Sequence, residues 1–514
     1  MSNTETTDAR QRRRPARNAR ISGELHQRPF GRVIRPYKPI EVLSADNVAA
    51  LHETALKVLR DIGMRVLEDD ARDRFRRAGA VIDGDNVRLD PAMVAEHLRT
   101  VPQSFTLVAR NRARSLHIGG DDVVFASVGG PAYVMDNDRG RRDGTHAEMC
   151  DYLKVIQSLD ILHQEGGGPF EPMDLPANTR HLDLYRAQIT VLDKSWQTQT
   201  LGRARTMDGL ILGALSLGLS MDELRDTPAL LGIINTNSPL QLDIPMGEGL
   251  ITMAEHGQVN VITPFTLAGA MSPVTLAGAL VQQHAEAMLG IVLTQIVRPG
   301  VPVMYGGFTS NVDMRSGAPA FGTPEYAKAA QASGQLARHI GVPFRSSNVS
   351  AANEVDAQAA YESQMSLWGS VMGGAHLIEH AAGWMHGGLT ASFEKLILDA
   401  ELLQMMAAYC DPVVVDTESL ALEAIRDVGP GGHFFGTPHT MERYQTAFYS
   451  PLLSNWDNHP AWLQRGSVDT RTRANGIWKQ LLRDYEQPPI DPGVLEEIDR
   501  FIARRKAEGG APMN

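Results

Sequence analysis

Amide, aromatic and a few charged side chains recur just after short apolar runs along the middle of the chain. They are Gln164 and Glu165, Gln197 and Gln199, Asn235 and Asn237, Thr263 and Phe265, Tyr305 and Phe308, and Arg345 and Asn348, followed by Glu379, His380, Trp384 and His386. Gathered at one mouth, they would line a pocket rich in amides and rings and poor in acids. Such a pocket suits a small ligand with an apolar cationic end, because the faces of aromatic rings attract quaternary ammonium. Taken singly, most of these residues would be read as groups that satisfy loop backbone or line a rim.

Other chemistries have less support. The closest approach to a metal site is Glu379-His380 with His386; no HExxH or CxxC is present, so no bound metal is expected. Cys150 and Cys410 each fall on a helical pattern, a weak basis for a nucleophile–histidine pair. The glycines at 166–168 and 373–374 could cradle phosphate, but tight turns needing positive φ are the preferred reading.

The elements that would position these residues follow from periodicity. Apolar strand patterns occur at 161–163, 196–201, 231–235, 259–263, 301–305, 342–345, 376–379 and 413–415. Helical patterns lie between them, at 179–192, 206–217, 247–255, 273–297, 324–339, 356–372 and 393–409. Strand and helix in turn imply parallel pairing, and the number of units implies a TIM (β/α)8 barrel over residues 146–420. Thr323, Pro324 and Glu325 form a helix start, with Thr323 as N-cap. Residues 26–145 read as an α+β region packed on the barrel, with a helix over 45–62 and strands at 105–109, 123–127 and 132–135, the last two paired. Residues 421–514 read as a helical extension ending in a helix over 494–506.

Composition sets the class. The net charge of -11 argues against a general nucleic-acid partner. The basic run at 10–20 lacks apolar periodicity and reads as part of a disordered tail over 1–25, with neither a signal peptide nor a membrane span expected. Only two cysteines suit a reducing cytoplasm. A homo-oligomer is the expected state, as for most soluble enzymes.

Four segments carry a family resemblance: VMYGGFTSNVDMRSGAPAFGTPE at 303–325, RSSNVSAANEVDAQ at 345–358, GPGGHFFGTPHT at 429–440 and WKQLLRDYEQPPIDPGVLEEI at 478–498. The chain resembles the trimethylamine methyltransferase family. The likeness implies a TIM barrel that moves a methyl group from a methylated amine to the cobalt of a corrinoid (cobalamin) held by a separate protein. The founding enzymes carry pyrrolysine at a position that the resemblance places at or beside Asn348, where this chain has ordinary residues. It is therefore similar to the non-pyrrolysine branch, which implies a quaternary amine such as glycine betaine as methyl donor. Trimethylamine, another methylated amine or a sulfonium is the alternative donor, and a non-catalytic betaine-binding barrel is the alternative class. The candidate catalytic residues are Asn348, at the position the resemblance points to, and Glu379 and His380, from their place at a strand end. The candidate substrate residues, also from strand-end placement, are Tyr305, Phe308, Arg345, Trp384, His386, Gln197, Gln199 and Phe265. Arg345 is the nearest cation for a betaine carboxylate, with His386 and Arg315 behind it; alternatively it pairs with Glu379.

Overall fold

The computed structural model describes residues 25–512, so the expectation of a disordered tail falls almost wholly outside the described residues. Its centre is a closed ring of parallel strands. Leu231–Thr236 pairs with Val259–Ala268, which pairs with Val303–Gly306; Phe344–Ser347 and Leu377–Glu379 follow in turn. Leu377–Glu379 then pairs with Asp122–Phe125. Short parallel bridges from Ala126 to Gln164, Gln164 to Ser195 and Gln197 to Leu231 complete the circle. The fold is a TIM barrel, and closure leaves no strand edge unpaired.

One strand of the ring differs from the sequence reading. Residues 413–415 are exposed coil, and Asp122–Phe125 takes the remaining place, so the ring begins before residue 146. Both are short apolar runs, and only long-range pairing tells them apart. Tyr133–Asp136 pairs with Gly140–Asp143 and Thr390–Ser392, not with the 123–127 run. The expected helices form, with Leu276–Val297 the longest. That helix is apolar enough to cross a membrane by length and composition, but most of it is buried against its neighbours.

Side-chain parity sorts the ring into two cores, since successive strand residues face opposite sides. Val124, Ala126, Leu231, Val259, Val261, Met304 and Leu377 point inward. They meet Leu107, Leu116 and Ile118 of the hairpin Phe105–Leu107 and Leu116–Ile118, which plugs the lower end. Phe125, Ile234, Ile262, Val303, Phe344 and Ile378 join the larger core shared with the helices. Above the inward apolar layer the same parity delivers Gln197, Thr263, Arg345 and Glu379. The helices Thr470–Arg483 and Pro492–Ala507 bury Ile477, Trp478, Ile498 and Phe501 in the outer core.

Candidate active site

A cavity of about 360 Å³ opens at the C-terminal ends of the barrel strands. Its aromatic members are Phe265, Phe308, His380 and Trp384. The Phe265 and Phe308 rings lie 5.0 Å apart, Trp384 meets Phe308 edge-on at 6.1 Å, and His380 stacks on Trp384 at 5.2 Å. Phe321 and Tyr326 support Phe308 from behind. The polar members include Gln197, Gln199, Asn235, Thr263, Arg345 and Glu379.

Two buried charges dominate the field. Gln197 Nε2 donates to both Glu379 oxygens at 2.9 Å. Burial nevertheless pushes the Glu379 carboxyl up to about 7, against the pull of Arg345 and Gln197 and with a small push from Glu165. Arg345 is buried, with Nε and Nη1 lacking any partner, and its guanidinium carbon lies 5.7 Å from the Phe308 centroid. Burial lowers its proton affinity, and the Glu379 charge partly restores it. Burial, then the Arg345 charge, holds His380 well below the usual histidine range, so the imidazole is neutral.

Glycine shapes the opposite wall. A Cβ on Gly166 would sit 2.2 Å from the Ser127 carbonyl oxygen, and one on Gly129 would sit 1.8 Å from that of Gly166. The two loops therefore close on each other beside Glu379 only because both residues lack side chains. Gly167 and Gly168 have positive φ, and their N–H groups donate to Glu165. That resolves the glycine run as a turn, since its donors are already satisfied.

The structure brings together Gln197, Gln199, Phe265, Phe308, Arg345, Glu379, His380 and Trp384, and leaves three of the expected residues out. Tyr305 has the parity opposite to Met304 and faces the helices, where its hydroxyl accepts from Gln283 Nε2 at 3.0 Å and meets His284. Phe308 keeps the inward parity of Met304, four residues before it, and the pairing register with Val259–Ala268 is the same at Tyr305 and at Phe308. Asn348 does not line the cavity; its N–H donates to the Glu379 carbonyl and its Nδ2 to the Ala381 carbonyl, each at 2.9 Å. It staples the segment that carries His380. His386 faces a separate, smaller cavity and is bound by Thr390 Oγ1 and the Asn353 carbonyl. Arg315 lies on an exposed loop. Sequence reading missed Thr198, Met246 and Gly129 in the lining, and Phe321 behind it. Thr198 has the parity opposite to Gln197, its hydroxyl donating to Tyr185 on a surrounding helix at 3.1 Å, so alternation would not have found it.

A barrel whose strand ends converge on one pocket lined by buried charge and aromatic faces defines a TIM-barrel protein built around a small ligand. The trimethylamine methyltransferase (MTTB) family model matches residues 10–510, and the chain belongs to that family. It is 36% identical over 470 residues to a glycine betaine methyltransferase of Desulfitobacterium hafniense (strain Y51), covering 91% of this chain and 98% of the relative. A trimethylamine methyltransferase of Methanosarcina barkeri (strain Fusaro) is 26% identical, covering 90% and 94%. A proline betaine:corrinoid methyltransferase of Eubacterium limosum is 25% identical, covering 90% and 96%.

Proposed function

We propose that this chain transfers a methyl group from a betaine, glycine betaine or a close analogue, to the Co(I) of a corrinoid held by a separate protein. The observation that carries this reading is Arg345. A buried guanidinium with unpartnered donors is costly, and a ligand carboxylate would relieve that cost by a bidentate contact. Trimethylamine has no carboxylate to offer. The likeness to relatives named for glycine betaine and proline betaine supports the same choice.

The corrinoid supplies the nucleophile, and a quaternary ammonium already contains a neutral leaving amine. The work left to this chain is orientation and exclusion of water. Arg345 would fix the carboxylate. Phe265, Phe308 and Trp384 would surround the N-methyl groups, each desolvated face contributing up to about 2 kcal/mol. Glu379, held by Gln197, would balance the ammonium charge, leaving one methyl directed at the mouth. A reducing compartment suits both Co(I) and the free thiols Cys150 and Cys410, so we read the site of action as the cytoplasm.

The test is a panel of betaines, choline and trimethylamine assayed with cob(I)alamin, followed by the spectral change on cobalt methylation. Betaines should react fastest. Faster transfer from trimethylamine would overturn the substrate reading, and betaine binding without transfer to cob(I)alamin or to a corrinoid protein would make this a binding barrel.

A further inference from the structure

A second cavity, of about 570 Å³, lies away from the pocket mouth. It is enclosed by the middle of Ala45–Lys57, the end of Pro91–Leu98 and the last turn of Pro324–His339. That turn leads into Phe344–Ser347, which places the cavity at the N-terminal ends of the strands, opposite the catalytic face of a TIM barrel. Leu56, Val94, Leu98 and Ile340 give the lining apolar surface. Arg99, Arg338, His52 and His339 give it nitrogen donors, and no carboxylate among the described residues belongs to it. Arg99 uses Nε on the Ala95 carbonyl at 3.2 Å and Arg338 uses Nη1 on the Gly373 carbonyl at 2.7 Å. Neither guanidinium has an ion pair among the described residues. Glu53 acts on His52 and Glu41 on Arg338 from outside the lining, while Arg35 adds another positive charge beside Arg338. In a chain of net charge -11, this carboxylate-free gathering of donors is a local focus of positive potential.

Helix C-terminal ends favour cations, which accounts for Arg99, Arg338 and His339. It does not account for His52, which stands in mid-helix and is held as a donor by a buried chain. Gln283 Nε2 donates to the Tyr305 hydroxyl oxygen at 3.0 Å. The Tyr305 hydroxyl gives its own proton to His284 Nδ1 at 3.2 Å, its one acceptor among the described residues. Burial, then the charges of His52 and His339, holds His284 well below the usual histidine range, so that ring is neutral. Its single proton is therefore on Nε2, which meets His52 Nδ1 at 2.9 Å. Burial, then the His339 charge, lowers the proton affinity of His52 against the pull of Glu53. A neutral His52 that accepts at Nδ1 carries its proton on Nε2, the ring nitrogen left for the cavity it lines.

We propose that this cavity binds a small organic anion, its phosphate or carboxylate head on Arg99, Arg338 and His52 Nε2–H and its apolar body against Leu56, Val94 and Leu98. The experiment is isothermal titration calorimetry on the full-length protein with phenyl phosphate, benzoate and phenol. At least one of the two anions should bind at one per chain, and the tighter of them identifies the head. Phenol, which has the ring without the charge, should bind at least about tenfold more weakly, the value of a charged hydrogen bond. Arg99→Gln and His52→Leu should each weaken the anion by a similar factor. Arg99 is exposed, so its variant keeps the fold, checked by an unchanged near-ultraviolet circular dichroism spectrum. His52→Gln, whose amide can accept from His284 and donate to the ligand, should recover part of the affinity. Arg345→Met should leave the affinity unchanged, which separates this cavity from the barrel pocket. Four results would each overturn the proposal: no saturable binding of either anion at millimolar concentration, phenol binding as tightly as the anions, binding lost with Arg345→Met, or binding unmoved by Arg99→Gln.

Discussion

Arg345 and Glu379 have opposite charges, yet they form no direct ion pair within 4.0 Å among the described residues, and each faces the same cavity. A zwitterion could satisfy both, its carboxylate on Arg345 and its ammonium near Glu379. Replacing Arg345 by Met should therefore raise the Michaelis constant for glycine betaine by about 10- to 100-fold, the value of a charged hydrogen bond. Choline, without a carboxylate, should be much less affected; equal damage to both substrates would remove the carboxylate role. Arg345→Lys should restore part of the betaine affinity and guards against a mere folding defect. Glu379 has a testable sign as well. Its carboxyl is pushed up to about 7, so below that pH it carries a proton and cannot balance an ammonium. kcat/KM for betaine should rise with pH through about 7 and then level, and Glu379→Gln should flatten the profile at a low value. Stability runs the other way. The folded state favours the neutral carboxyl, so this group's contribution declines as pH climbs from the unfolded value, about 4.3, toward the folded one.

Buried carboxylates recur at the level of the loops. Glu165 accepts from the turn after the second strand segment, and Glu286 from Thr236, Ser238 and Leu240 after the fourth. Glu362 accepts from Ser350, Ala351 and Ala352 after the seventh strand, while Asp399, paired with Lys395, accepts from Gly383 after the eighth. Each anchors a loop near the pocket to a helix or to its own turn, which keeps the site on rigid supports. Asp399→Asn should loosen the segment holding His380 and Trp384; the checks are a shift in tryptophan fluorescence and a rise in KM, with Asp399→Glu recovering part of both. Tyr305→Phe tests parity. It should leave betaine affinity within about two-fold and lower stability by about 1 kcal/mol, the value of one hydrogen bond, read from binding and from chemical unfolding. A large loss of affinity would return Tyr305 to the pocket. Helices such as Pro324–His339 were legible because period and cap coincide, Thr323 accepting from Tyr326 N–H as its position implies. Strand facing was less legible. Tyr305 and Phe308 are three residues apart and so take opposite faces, with the pairing register unchanged between them, but apolar content alone does not report which face is the inner one.

At the scale of the whole molecule the barrel closes through residues that look, in sequence, like part of a separate region. Asp122–Phe125 pairs with Leu377–Glu379 on one side, and Ala126 bridges to Gln164 on the other. Val124 and Ala126 also belong to the inner core, with Leu107, Leu116 and Ile118 of the plugging hairpin beneath. Sequence order hid this, because which of two short apolar runs completes a ring is decided by partners hundreds of residues away. The consequence is a dependence of the barrel on residues before 146. A fragment beginning at residue 146 would leave Leu377–Glu379 with an open edge and the inner core exposed from below, a state prone to edge-to-edge association. It should therefore be insoluble or lack a cooperative melting transition. A fragment beginning at residue 25 keeps the strand, the hairpin and the Arg28–Asp411 contact, and should melt as one unit near the temperature of the full chain. Cooperative melting of the shorter fragment would show that the ring closes without its N-terminal strand.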